Sequence, residues 1–142
     1  MLARAFPLLA IPVVIYNGLI AATGSLTGAS DVAQIQLGRV LMRLPMPTTG
    51  AQWAVSAGDV VVLIGLLTLF FEVISSSRSG NDILLKHVLS TFLFILCLVE
   101  FLLWRPFATS TFFLLLAMTL METIAGFIIT TVAARKDIEF AH

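Results

Sequence analysis

Residues 111–134 read TFFLLLAMTLMETIAGFIITTVAA. Apart from the carboxyl of Glu122 and a few threonines, the run is apolar throughout. About 20 such residues, wound as a helix, cross roughly 30 Å of bilayer hydrocarbon. An open strand would leave its backbone groups unpaired in lipid. The stretch therefore predicts a transmembrane helix. Three similar runs lie upstream, from Ala5 to Thr23, from Ala54 to Ser75 and from Ile83 to Trp104.

Composition points the same way. Apolar residues make up 59% of the 142 positions and charged residues 11%, against roughly 45–50% and about 25% in soluble domains. A water-soluble domain of this size would be left with large apolar patches on its surface. The expected fold class is all-α: a polytopic membrane protein whose residues 1–142 form one domain, a four-transmembrane-helix bundle.

The separators agree with that division. Residues 75–82 are a polar turn in which Asn81 or Asp82 can cap the next helix. Arg105-Pro106 should end the third span, because the residue before proline disfavours helix, and Thr109 or Ser110 offers the N-cap of the fourth. The first connection, Gly24 to Trp53, is longer. Within it Ala33, Leu37, Val40, Leu41 and Leu44 share one helical face, with Gln36, Arg39 and Arg43 opposite. An amphipathic helix is expected over Asp31 to Leu44, either in the membrane interface or on the mouth of the bundle. Pro45 and Pro47 should end it.

Met1 to Arg4 before an apolar run also admits a signal peptide. That run is long for one, however, and the sites after Ala22 and Ala29 match the small-residue cleavage pattern poorly, so a retained first anchor is expected. With four spans, Arg4, Arg78, Lys86, Arg135 and Lys136 fall on one side and Arg39, Arg43 and Arg105 on the other. The positive-inside rule then puts both termini in the cytoplasm, and Trp53 and Trp104 at the opposite interface.

Eight basic residues balance eight acidic ones, and no basic stripe of the kind nucleic acid requires is present. The expected partners are the lipid bilayer and other integral membrane proteins or further copies of the chain. Cys97, the lone cysteine, is read as a packing residue. His87 sits near a span end and His142 closes the chain, which speaks against haem ligation or a zinc site. Gly24 to Gly28 resembles a nucleophile elbow only superficially. No catalytic residue, cofactor or metal ligand is expected.

The informative residues are polar groups inside the spans, which normally face a bundle interior or water. Thr119, Glu122, Thr123, Gly126 and Thr130 recur on one face of the fourth run, and Lys86, Ser90, Leu93, Cys97, Glu100 and Trp104 on one seam of the third. In the first run, Asn17 lies at a depth similar to that of Glu122. A buried polar site of Asn17, Glu122, Thr119 and Thr123 is therefore expected, with Asn17 and Glu122 as a pair. Asp59, Glu100 and Arg105 toward one end, and Glu72, Arg78 and Lys86 toward the other, are candidate interface ion pairs. For Glu72 and Glu100 a purely structural role is the simpler reading.

Phe71 to Val73, Asn81 to His87, Cys97 to Leu103, Phe107 to Phe113 and Ala133 to Asp137 together resemble a group of small four-span inner-membrane proteins of proteobacteria. The resemblance covers roughly the second half of the chain. No activity is assigned to that group, so the resemblance implies a bacterial inner-membrane location and transfers no functional residue. Small multidrug exporters also have four spans, but they carry an essential glutamate in the first, where this chain has Asn17. The leading expectation is a non-catalytic accessory or scaffold subunit of a larger inner-membrane complex. The alternative is a small oligomeric proton- or cation-coupled transporter or channel using Glu122.

Overall fold

The structure, a computed structural model, describes residues 6–23, 30–76 and 83–140. The expected caps Asn81 and Asp82, the expected ion-pair partner Arg78, the Gly24–Gly28 stretch, Arg4 and His142 lie outside them. The described chain is mostly helical, and its elements begin and end where local chemistry directs. Helix α1 is Ala10–Ala22, preceded by a turn in which the Ala10 amide bonds the Pro7 carbonyl at 3.1 Å. Pro12 falls in the first turn, where amides have no intrahelical acceptor and a proline costs nothing. The helix has thirteen residues, about 20 Å at 1.5 Å per residue, which is shorter than the expected Ala5 to Thr23 span.

Helix α2, Ser30–Leu37, is followed by two antiparallel strands, β1 over Val40–Pro45 and β2 over Gln52–Ser56. This corrects the amphipathic helix expected over Asp31 to Leu44. Helical spacing of Val40, Leu41 and Leu44 is there in the sequence, but Gly38 breaks the helix, and a pairing partner lies just beyond a tight turn. Gly50, at φ +65°, takes the left-handed conformation that turn needs. In the hairpin Leu44 pairs with Trp53 and Met42 with Val55, with a bulge between Val40 and Met42.

Helix α3, Ala57–Ser76, opens with a reciprocal cap. The Asp59 carboxylate accepts the Ser56 amide at 2.8 Å and the Ser56 hydroxyl at 2.7 Å, and Ser56 Oγ accepts the Asp59 amide at 3.2 Å. Helix α4, Ile83–Leu103, ends at an extended Trp104, and Arg105–Phe107 form one 3₁₀ turn around Pro106. Helix α5, Ser110–Phe140, is capped by Thr109, whose hydroxyl oxygen accepts the Phe112 amide at 3.2 Å.

The long helix α5 lies at the centre, in contact with α4, α3 and α1. Helix α2 rests on the 3₁₀ turn and on α3, so α2 and the hairpin close one end of the bundle. Beneath them Tyr16 is fully buried, with its ring 4.8 Å from that of Phe112 and 5.6 Å from that of Phe107. Its hydroxyl donates to the Pro106 carbonyl at 3.0 Å and lies 2.7 Å from Thr109 Oγ1. A phenol has one proton, so Thr109 supplies the second bond. Glycines allow close approach: a Cβ on Gly58 would come within 2.7 Å of Thr111 Oγ1, and one on Gly65 within 2.8 Å of Met118 Sδ.

Among the described residues three helical stretches are long and apolar enough to cross a membrane: Ala57–Ser75, Leu84–Leu103 and Ser110–Val132. Only 22%, 22% and 33% of them is buried inside the molecule, so most of their apolar surface faces outward. Removing the Tyr16 hydroxyl alone (Tyr16→Phe) should cost about 1 kcal/mol, whereas emptying the ring's site (Tyr16→Ala) should cost about 3–5 kcal/mol. Thermal unfolding of the detergent-solubilised variants checks both the size and the order of the two effects.

Candidate functional site

Charged and polar groups from four segments meet around Glu72, which the sequence places four residues before the end of α3. Its side chain is fully buried. One carboxylate oxygen accepts the Leu9 amide at 3.2 Å, just ahead of α1, and the other lies 3.3 Å from Lys86 Nζ on α4. The first contact places a carboxylate at a helix N-terminus, where unpaired amides and the helix dipole favour negative charge. The second supplies the countercharge that burial demands.

One turn along α4 from Lys86, the buried Ser90 hydroxyl donates to Glu122 Oε1 on α5 in a close hydrogen bond. Glu122 is 7% exposed, and it feels both Glu72 and Lys86 electrostatically. Its second oxygen, Oε2, is buried without a hydrogen-bond partner. Thr123 extends the cluster, its hydroxyl 2.9 Å from the Thr119 carbonyl and 3.5 Å from that of Ser90. His87 packs on Gly126, where a Cβ would come within 2.6 Å of the imidazole Nδ1. Two carboxyls therefore share one ammonium. Fully ionised, the three groups carry one net negative charge, and a single proton or monovalent cation makes them neutral, as a buried site requires.

The expected pairing of Asn17 with Glu122 does not form. Asn17 Nδ2 donates to the Val13 carbonyl at 3.1 Å and to Glu100 Oε2 at 3.4 Å. Equal depth for the two residues would require α1 to run the full length of the bundle. Instead α1 starts beside Glu72, and Asn17, eight residues on, falls opposite Glu100 near the far end of α4. Thr119 is fully buried beside the site and bonds back to the Leu116 carbonyl at 2.8 Å. Of the expected ion pairs, Glu72 with Lys86 is made. Among the described residues no ion pair joins Asp59, Glu100 and Arg105: Asp59 caps α3, Glu100 meets Asn17, and Arg105 is exposed.

Sequence reasoning missed Tyr16, the organiser of the capped end, and the Leu9 amide, a backbone group for which no side-chain pattern exists. Ser90 carried a usable signal, because it shares the α4 seam with Lys86. Cys97 is fully buried among apolar neighbours, and no group of three metal-ligating side chains occurs among the described residues. No family model, curated protein or solved structure matches the chain.

Lys86→Met should destabilise the fold by about 3 kcal/mol, because it strands a buried carboxylate. Glu72→Gln keeps an acceptor for the Leu9 amide, so the double variant should recover most of that loss. A double-mutant cycle in detergent unfolding reads the coupling.

Proposed function

We propose that the chain is a multi-pass protein of the bacterial inner membrane, with four crossings and both termini cytoplasmic, serving there as a non-catalytic accessory or scaffold subunit of a larger complex. The membrane assignment draws on the three long apolar helices and their outward-facing side chains. The fourth crossing draws on α1, which lies against α3 and α5 within the bundle. The orientation draws on the basic residues of the connections.

The observation that carries the accessory role is the hairpin. All of β1 is exposed, and Met42, Leu44 and Trp53 are 52%, 40% and 53% accessible. Alternation puts the cross-strand pairs Met42–Val55 and Leu44–Trp53 on one face. Among the described residues no third strand pairs with the hairpin, and such a ribbon is marginal alone. A partner's strand or apolar face completes it.

In mild detergent the protein should copurify with larger membrane proteins, and Leu44→Lys with Trp53→Glu should release them while the chain stays resistant to alkaline extraction. Recovery of the wild type free of partners, or copurification indifferent to the two substitutions, argues against the accessory role. Reporters on the two ends should sit in one compartment.

A second reading, a small oligomeric proton- or cation-coupled transporter or channel, is favoured by the buried Glu72–Lys86–Glu122 cluster with its surplus carboxyl and the unpartnered Glu122 Oε2. Protein reconstituted in liposomes with an internal pH dye should then carry a flux that Glu122→Gln abolishes. A flux unaffected by that change removes the reading.

A further inference from the structure

A groove of about 730 Å³ opens between α1 and α4, within the size range of small-molecule sites. Its α1 wall is low, built from Ala10, Val14 and Gly18, and a Cβ on Gly18 would meet nothing within 4 Å. Its α4 wall is high, with Phe92 and Leu96. The lining contains two polar side chains, Asn17 and Glu100, both at one end. From Leu89 to Glu100 the groove runs along α4 for about 16 Å. A single hydrocarbon chain fits it.

The polar end selects the head of the occupant. Both protons of the Asn17 amide nitrogen are already engaged, one by the Val13 carbonyl and one by Glu100 Oε2. What remains toward the groove is acceptor capacity only: the Asn17 carbonyl oxygen and the rest of the Glu100 carboxylate. Among the described residues no basic side chain lines the groove. An anionic head finds no donor in that lining, whereas an ammonium head meets a carboxylate buried to all but 6% of its surface.

We propose that the α1–α4 groove is a binding site for one amine-headed phospholipid, its acyl chain lying between the two helices and its ammonium on Asn17 and Glu100. The proposal rests on the membrane reading above, and the experiment separates the two.

Detergent-purified full-length protein is titrated with dioleoyl phosphatidylethanolamine or dioleoyl phosphatidylglycerol, and retained lipid is counted by native mass spectrometry. The wild type should retain one phosphatidylethanolamine per chain, about tenfold over phosphatidylglycerol, the ratio expected of a charge-assisted bond. Glu100→Gln keeps an acceptor for Asn17 and should bring that ratio close to one. Gly18→Leu, which fills open space, should abolish retention of both lipids. Equal retention of the two lipids by the wild type, unchanged retention by Gly18→Leu, or photocrosslinking from the groove to a protein instead of a lipid overturns the site. If the wild type resists alkaline extraction while showing no lipid preference, the groove assignment alone fails. If it is stripped from membranes, the membrane reading fails with it.

Discussion

The carboxylate of Glu72 sets the geometry on which the rest depends. It is fully buried, and a charge so placed is tolerable only if both oxygens are engaged. One engages the Leu9 amide and the other the Lys86 ammonium. Those two bonds lock the start of α1 to the last turns of α3 and the first turns of α4. With that end of α1 set, its inward-facing residues acquire their neighbours: Tyr16 reaches the Pro106 turn, and Asn17 reaches Glu100.

The opposite end of the bundle is held by different physics. Tyr16, Phe107 and Phe112 stack in tilted and edge-on contacts, and one phenol oxygen ties α1 both to the 3₁₀ turn and to the residue that caps α5. The short helix α1 is thus clamped electrostatically where it begins and by aromatic packing farther along. Between the clamps its small residues leave space toward α4, and that space is the groove.

Two polar pairs inside an otherwise apolar molecule differ in their surroundings. Glu72 and Glu122 are enclosed among α1, α3, α4 and α5, with Lys86 as their countercharge. Asn17 and Glu100 line a groove. The enclosed pair suits a role in holding helices together or in binding a proton or small cation. The pair beside the groove suits recognition of a head group arriving from the surroundings. The hairpin adds a third surface, apolar and without a third strand among the described residues, at the closed end.

Much of this was legible in the residues themselves. Sustained apolar runs require helices, because only an intrasegment ladder satisfies the backbone without water. That placed α3, α4 and α5 close to their observed bounds. The break at Arg105-Pro106, the Thr109 cap and the Glu72–Lys86 pair follow from local rules of proline geometry, orphan amides and charge at similar depth. Three features did not follow. The hairpin depends on a strand partner twelve or so residues away, which outcompeted a helical pattern in Val40 to Leu44. The pairing of Asn17 depends on where α1 starts, and that is decided by a bond between a backbone amide and a side chain 63 positions along the chain. The burial of Tyr16 depends on a turn from the second half of the chain folding over it. Periodicity and capping act within one segment, so the sequence alone determined that the three long apolar helices form. Register between segments is a property of long-range contacts, and only the tertiary structure decided it.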